Sequence, residues 1–336
     1  MSDELLTSLL RDVSRSFYLT MRMLPGPVRR QISLAYLLAR TSDTIADTEV
    51  VAVPSRLQAL ATLRERIRGT SSDPLPWSQL SVGQALPAEG VLLERIEESL
   101  RLLLELDEAD RRLVRDVLDI IISGQELDLK RFGAATADHI VALQTAEELD
   151  DYTYRVAGCV GEFWTKMCAA HLWPGASSGG ESLIQQGVRF GKGLQLVNIL
   201  RDIPQDLRKG RCYIPAQALM ASGLTPHDLL SPQNQARFRP SYDDLLARAE
   251  EHLAAGWDYT RSLPRNQVRL RLACSWPILI GARTLRRLRQ ENVLDATRRV
   301  KVSRPEVRSL ILRSVFLYPF AGAWEAQFGK EIELIS

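Results

Sequence analysis

Cysteine and histidine are scarce in this chain. It contains four of each among 336 residues, and no two cysteines stand close enough to form a CxxC pair. Zinc sites and disulfide frameworks need closely spaced ligands or many cysteines, so neither is expected. The cysteines are predicted to be free, buried thiols of a protein in a reducing compartment. They are Cys159, Cys168, Cys212 and Cys274.

Long apolar runs and an excess of one charge are also lacking. No stretch of about 18 apolar residues occurs, so a membrane-spanning helix is not expected. Acidic residues stand within the first four positions, and no apolar core of signal-peptide length follows. The net charge is +2 and no basic tail is present, which argues against a nucleic-acid partner. We expect a cytoplasmic protein, which its substrate or product could bring to the inner face of the membrane as a peripheral protein.

Apolar residues recur at helical spacing along most of the chain, whereas the alternation typical of strands is nearly absent. The segments with helical spacing are 4–22, 27–48, 54–68, 91–105, 109–130, 137–170, 180–207, 243–262, 266–290 and 304–325. Loops are expected at 69–90, 174–180, 209–215 and 231–241. No break in composition divides the chain. The sequence therefore predicts an all-α fold with a single domain over residues 1–336, a helical bundle that holds its site in its core.

Two acidic pairs stand out against this helical pattern. In each pair the aspartates are four residues apart, and polar residues precede them at intervals of three or four. The first stripe is Tyr36, Arg40, Asp43 and Asp47; the second is Gln195, Asn198, Asp202 and Asp206. Helical periodicity places each stripe on one face of its helix. Two such faces could confront each other across a cavity.

Paired carboxylates of this kind need a cation. Like charges one turn apart destabilise a helix unless positive charge lies between them. Mg²⁺ prefers hard oxygen ligands and is usually held by one or two carboxylates while substrate phosphates complete its octahedron. The stripes therefore indicate a metal-bridged diphosphate. The plain alternative is a solvated acidic face, since a chain of this size contains roughly one such pair by chance. Two copies in largely apolar helices, with Arg40 and Arg201 beside them, favour the site.

Three residues are unusual within these predicted helices. Pro204 lies between the aspartates of the second pair, where its missing N–H is expected to bend or end the helix. Gly158 and Gly161 cost about 1 kcal/mol each relative to alanine within a helix. Close approach of a substrate or of a neighbouring helix would explain the glycines, and so would a local kink.

At the level of motifs, the chain resembles the squalene and phytoene synthase family, the head-to-head prenyl transferases, over nearly its full length. The matching motifs occur in the family's order: Ser14–Phe17, Tyr36–Asp47, Tyr152–Gly161, Gln195–Asp206 and Lys209–Pro215. Further stretches resemble squalene synthases more than phytoene synthases: Arg265–Gln267, Cys274–Pro277 and Val300–Arg304. One departure is Ala46, where some squalene synthases have another acid.

The resemblance implies an isoprenoid synthase fold with a central cavity and a squalene synthase activity. Two farnesyl diphosphates would condense to presqualene diphosphate, which NADPH would then reduce to squalene. Two alternatives stay open. One is a non-reductive relative that makes phytoene, dehydrosqualene or presqualene diphosphate; the other is a scaffold protein, against which the four retained aspartates argue. The implied cofactors are Mg²⁺ and NADPH, and the sequence does not determine the oligomeric state.

The resemblance also implies roles for individual residues. The expected metal ligands are Asp43, Asp47, Asn198, Asp202 and Asp206. The residues expected to bind the substrate are Arg40, Gln195, Arg201, Arg211 and Tyr213. The expected catalytic residues are Tyr152, which would handle a proton, Arg15, which would contact diphosphate, and Phe17 and Tyr36, whose rings would stabilise cations. Lys301 and Arg304 would bind NADPH.

Ordinary structural roles remain open for several of these residues. Tyr152 could be a core tyrosine tethered by its hydroxyl. Phe17 could be plain core, and Gln195 could simply pack beside its polar neighbours. The basic segment that contains Lys301 could be a surface approach to a helix.

Overall fold

The computed structural model describes residues 5–14, 17–75, 80, 87–173 and 180–332, apart from the side chain of Phe17, and these residues are mostly helical. The helices are α1 (Leu10–Ser14), α2 (Phe17–Met23), α3 (Gly26–Asp47), α4 (Val53–Arg68), α5 (Pro87–Glu94), α6 (Ile96–Leu104), α7 (Glu108–Phe132), α8 (Ala146–Thr153), α9 (Cys159–Leu172), α10 (Gly180–Arg208), α11 (Ala216–Ala221), α12 (Gln235–Ser262), α13 (Val268–Gln290), α14 (Arg304–Leu317) and α15 (Ala321–Ile332). Short π-helical segments are Leu5–Leu9 and Tyr154–Gly158, and short 3₁₀ segments are Pro226–Leu230 and Pro232–Asn234. The predicted all-α class is confirmed.

The chain divides into two compact units. The first takes in Met1–Gly133 and Phe163–Ser178, and the second takes in Ala134–Glu162 and Gly179–Ser336. Each unit contains one of the two acidic stripes. The single domain over residues 1–336 stays a prediction.

In the first unit, α3 is the helix that carries the acidic stripe. It begins at a proline-rich turn, where proline at the first helical positions costs no hydrogen bond. Its apolar side packs against α4, α6 and α7, and Leu34, Leu37 and Leu38 are fully buried. Each such leucine contributes about 1.5–3 kcal/mol by leaving water. This packing fixes the rotation of the helix, so Asp43 and Asp47 stay on its more exposed side.

In the second unit, α10 packs along α12 and against the segment that joins α8 to α9. Glycine makes the second contact possible. A Cβ atom on Gly161 would lie 1.8 Å from the carbonyl oxygen of Gly187, and one on Gly191 would lie 2.1 Å from that of Ala157. Close approach of a neighbouring helix is therefore the reason for Gly161. The adjoining turn at Gly158 is π-helical, a local irregularity that often occurs near functional sites.

A short parallel pairing in the second unit corrects the predicted helix over 137–170. Val141–Ala142 (β1) pairs with Arg211–Cys212 (β2), and the helix begins only at Ala146. The N–H of Val141 donates to the carbonyl oxygen of Gly210 at 2.9 Å. The strand partner lies far away in sequence, so local periodicity could not reveal it.

Two helices extend through a proline, where the sequence predicted a bend or an end at Pro204 and a loop over 231–241. α10 continues through Pro204 to Arg208. The carbonyl of Leu200, which loses its helical partner there, accepts a hydrogen bond from the Tyr242 hydroxyl at 3.1 Å. The loop predicted over 231–241 ends early, because α12 begins at Gln235 and includes Pro240. Burial of Phe238 holds this first part of α12 in the core.

The structure can also be compared with the predictions made for the cysteines, for membrane-spanning helices and for the loop over 174–180. All four cysteines are free and buried, as expected. Within the described residues, no helix combines the length and the apolar character needed to cross a membrane. The loop predicted over 174–180 lies almost entirely outside the described residues.

Candidate active site

In the first unit, Asp43 is the centre of a polar network on α3. The Nη1 atom of Arg40 lies 3.9 Å from Asp43 Oδ2, and the other terminal nitrogen of Arg40 pairs with Glu89 of α5. Gln125 of α7 donates its Nε2–H to Asp43 Oδ1. Asp47 lies at the exposed end of the same stripe. The structure thus places Arg40 beside Asp43, with Asp47 one turn further along α3, and it adds Gln125 and Glu89.

The surroundings of Asp43 disfavour its ionised form. Its pKa is raised to about 7, first because the surrounding protein reduces its hydration and second because Asp47 carries a like charge. Arg40 and the hydrogen bond from Gln125 partly oppose this rise. The side chain is nevertheless 46% exposed, so it stays open to an incoming ion or ligand. A bound cation would favour ionisation of both aspartates.

Of the remaining residues predicted at or near the first stripe, the structure describes the side chain of only one. Tyr36 lies on α3 one turn before Arg40 and is half-buried. Arg15 and the side chain of Phe17 lie outside the described residues. The roles assigned to Arg15, Phe17 and Tyr36 stay predictions.

In the second unit, the second stripe lies along α10. Asn198 Nδ2 is 3.5 Å from Gln195 Oε1, which joins two of its members by a long hydrogen bond. Asp202 and Asp206 follow on the same continuous helix and are partly buried. Because α10 does not end at Pro204, the stripe keeps its helical spacing.

Asp202 is surrounded by arginine. Arg201 Nε lies 3.0 Å from Asp202 Oδ1, and its Nη2 contacts the other carboxylate oxygen, which makes the pair bidentate. Arg299 Nη2 lies 3.3 Å from Asp202 Oδ1. A bidentate guanidinium also matches the oxygens of a phosphate. Nothing in the local sequence around Arg299 pointed to this contact.

Tyr152 and Tyr213, predicted for different roles, stack on each other. Their ring centroids are 4.7 Å apart with an angle of 23° between the planes. Both are buried, Tyr152 on α8 and Tyr213 just after β2. Tyr213 also lines a small hollow beside α10 together with Asp206 and Arg211. The β1–β2 pairing thus brings Arg211 and Tyr213 to the end of the second stripe.

A further polar network in the second unit was not predicted. Asp150 accepts from Lys192 Nζ at 2.7 Å and from Arg248 Nη2 at 3.0 Å. Tyr154 donates to Glu162 Oε2 at 3.1 Å, and burial together with Glu162 raises the pKa of Tyr154 to about 12. Tyr154 therefore stays protonated near neutral pH. Lysine beside acids on a helix is common on surfaces, so the local sequence pattern did not indicate this network.

Lys301 and Arg304, predicted to bind NADPH, lie at the start of α14 in the second unit. Both side chains are exposed. Ser303 and Glu306 form a capping box around this helix start, and Arg287 contacts both Glu306 and the carbonyl of Lys301. The segment therefore has a structural role, which was the plain alternative. Its role in cofactor binding stays a prediction.

The donor set of each stripe fits Mg²⁺. Among the described residues, no three or more His, Cys, Asp or Glu side chains form a cluster that would hold a metal alone. Each stripe instead supplies two carboxylates, and the second adds the amide of Asn198. Mg²⁺ characteristically binds to such small sets of oxygen ligands and completes its shell with water and substrate phosphate. The residues therefore suit a metal that arrives with a diphosphate.

The fold and these two stripes define the class of protein. The structure superposes on a ligand complex of TcSQS with a TM-score of 0.77, covering 100% of this chain and 99% of that one at 18% identity, which shows a common fold. That fold is the isoprenoid synthase fold. The chain belongs to the squalene/phytoene synthase family, whose model matches residues 10–306.

Curated relatives are similar over most of the chain. The presqualene diphosphate synthase of Zymomonas mobilis is 29% identical, with 75% of this chain and 73% of the relative covered. The bifunctional lycopene cyclase/phytoene synthase of Colletotrichum graminicola is 28% identical over 75% of this chain. The chain spans only 41% of the length of that bifunctional relative.

Proposed function

We propose that the protein joins two farnesyl diphosphates head to head to form presqualene diphosphate. The observation that carries this proposal is the acidic stripe of each unit, with two aspartates one turn apart and an arginine beside them. The similarity to a presqualene diphosphate synthase and to phytoene synthases supports a non-reductive product more than it supports squalene.

Diphosphate binding would use both stripes. Asp43 and Asp47, and likewise Asp202, Asp206 and Asn198, would hold Mg²⁺, which when bound supplies positive charge that stabilises the departing diphosphate. Arginine donors would contact the phosphate oxygens directly. The arginines proposed for this role are Arg15, Arg40, Arg201 and Arg211, and Gln195 and Tyr213 would complete the binding set.

The condensation balances without an oxidant or a reductant. One farnesyl diphosphate loses its diphosphate and leaves an allylic cation, whose C1 adds to the C2–C3 double bond of the second molecule. The cation then lies on C3 of the second molecule. Loss of one proton from C1 of the first molecule lets that carbon bond to C3 as well, which closes a cyclopropane ring. The products are presqualene diphosphate, free diphosphate and a proton.

Side chains near the reacting carbons would guide these steps. Tyr152 would handle the proton; it is buried, and its ring is stacked on that of Tyr213. The ring faces of Phe17 and Tyr36 would stabilise positive charge on carbon. All three roles are part of the proposal.

A second candidate is the reductive formation of squalene with NADPH. The observation that favours it is the contact between Arg299 and Asp202, because it brings the segment that leads to Lys301 next to the second stripe. Lys301 and Arg304 are exposed and could contact the phosphates of the nucleotide. NADPH, when bound, would supply the hydride that reduces presqualene diphosphate to squalene after loss of its diphosphate and rearrangement of its cyclopropane carbons.

The test is product analysis. Purified protein is incubated with farnesyl diphosphate and Mg²⁺, with and without NADPH, and products are identified by mass spectrometry after dephosphorylation. Presqualene alcohol in both reactions would support the main proposal, and squalene only with NADPH would support the second candidate. Dehydrosqualene, or turnover of geranylgeranyl diphosphate alone in a parallel reaction, would overturn both. Absence of turnover with either substrate would leave the scaffold alternative.

A further inference from the structure

Helix α14 carries apolar side chains on the side that faces away from the protein core. Its inner side is fixed by the buried residues Leu310 and Ser314, and Ser314 accepts a hydrogen bond of 2.7 Å from the indole of Trp276 on α13. On the outer side, Leu312 is 69% exposed and Phe316 is 74% exposed. Folding of the second unit does not require these two side chains to be apolar.

The exposed side chains form one patch. Val315 and Phe316 follow Leu312 by three and four positions, which places both of them next to Leu312 on the helix surface. Phe320 follows just after the end of α14 and is also exposed. We call these four residues the outer apolar patch. Single exposed apolar residues are ordinary, but a contiguous group with two phenylalanines marks an interaction surface.

Basic residues surround the outer apolar patch. Arg308 and Arg313 lie on the same helix and are exposed, as are Lys301 and Arg304 at its start. The helix contains one acid, Glu306, whose charge is already engaged by Arg287. Among the described residues, this surface therefore combines apolar side chains with several exposed basic side chains.

Further features of the second unit extend this surface. Arg265, just before α13, reaches the carbonyl oxygen of Pro319 at 3.3 Å, so the start of α13 lies beside the patch. Val268 there is exposed as well.

We propose that the outer apolar patch docks on the surface of an anionic phospholipid bilayer. Phenylalanine and leucine on one face with arginine at its margins is the pattern by which a helix lies in the membrane interface. The arginines match the negative charge of acidic lipid headgroups. A second copy of the chain fits less well, because a twofold interface through this patch would bring the same arginines together.

Vesicle sedimentation with the full chain tests this proposal and does not depend on catalytic activity. The vesicles are phosphatidylcholine alone, or phosphatidylcholine mixed with phosphatidylglycerol. We expect the protein to sediment with the mixed vesicles and to bind them about tenfold or more tightly than neutral ones, with the difference falling at high salt.

Matched variants locate the contact. The double variant Leu312→Ser and Phe316→Ser is expected to lose about tenfold or more in binding to mixed vesicles, since it removes two apolar side chains that would enter the membrane interface. Met220→Ser is the control, because Met220 is 67% exposed on α11 and lies outside the patch. All substituted side chains are exposed, so the variants should keep the circular dichroism spectrum and melting temperature of the parent protein.

Three results would overturn the proposal. The first is equal binding to neutral and mixed vesicles. The second is unchanged binding by the double variant. The third is self-association of the parent protein in light scattering that the double variant abolishes without any effect on vesicle binding, which would assign the patch to a second copy.

Discussion

Gln125 donates a hydrogen bond to Asp43, from the middle of α7 to the acidic stripe of α3. The glutamine is buried, and its carbonyl oxygen has no partner among the described residues. The hydrogen bond lowers the pKa of Asp43, against the stronger effects of reduced hydration and of Asp47. Gln125 therefore helps to keep in its ionised form the carboxylate that we propose as a metal ligand.

Replacing Gln125 by leucine is expected to weaken Mg²⁺ binding. Without the donor, the pKa of Asp43 rises further and the metal must displace a proton more often. We expect Gln125→Leu to raise the Mg²⁺ concentration for half-maximal activity about tenfold while the rate at saturating Mg²⁺ changes less. Gln185→Leu, at an exposed glutamine of α10, is the control. An unchanged Mg²⁺ dependence in Gln125→Leu would show that the hydrogen bond does not tune the site.

Neutralising one aspartate of either stripe is expected to abolish most of the activity. Asp43→Asn or Asp202→Asn removes a charged ligand that would stabilise the departing diphosphate, so kcat/KM should fall about 100-fold or more. Asp258→Asn, an exposed aspartate of α12 that pairs with Arg261, is the matched control. Initial rates with farnesyl diphosphate and saturating Mg²⁺ provide the measurement. Full activity in either stripe variant would exclude that stripe from the metal site.

The hydroxyl of Tyr242 is expected to stabilise α10 at its proline. Tyr242→Phe leaves the buried carbonyl of Leu200 without a donor and should lower the free energy of unfolding by about 1–3 kcal/mol. Pro204→Ala restores a backbone N–H that can donate to the same carbonyl. In the Pro204→Ala background, Tyr242→Phe should therefore lower the free energy of unfolding by less. Urea unfolding of the parent protein, the two single variants and the double variant measures this in a double-mutant cycle. Equal costs in both backgrounds would mean that the carbonyl is satisfied in another way.

His252 is expected to make the protein less stable in mild acid. Its pKa is lowered to about 4, first by burial and then by Arg189, Arg248 and Lys192, with Asp150 opposing. Between pH 6.5 and 4 the unfolded chain binds a proton that the folded chain excludes, so stability falls as the pH falls through this range.

A variant without this histidine distinguishes the effect of its protonation from the other causes of unfolding in acid. His252→Gln cannot take up the proton, so its stability relative to the parent protein should rise by about 2 kcal/mol between pH 7 and pH 4. Urea unfolding at both pH values measures the difference. A difference that does not depend on pH would show that His252 titrates normally in the folded protein.

Much of the fold could be predicted because helices leave a local signature. The spacing of apolar residues located most of the helices, and it also aligned Asp43 with Asp47 and Asp202 with Asp206. The error at 137–145 arose because the backbone of this stretch forms hydrogen bonds to residues near Gly210 instead of helical hydrogen bonds within the stretch. The helix does not end at Pro204, because a donor from another helix replaces the missing hydrogen bond.

The sequence by itself determined the helical class, the two acidic stripes and the resemblance to a family, because these depend on residue type and short-range spacing. The tertiary structure decided which side chains meet these stripes: Gln125 and Glu89 at Asp43, Arg299 at Asp202, and Tyr213 against Tyr152. It also decided that Leu312 and Phe316 face outward. Such contacts depend on how distant segments pack, and a one-dimensional pattern does not record the rotation of one helix against another.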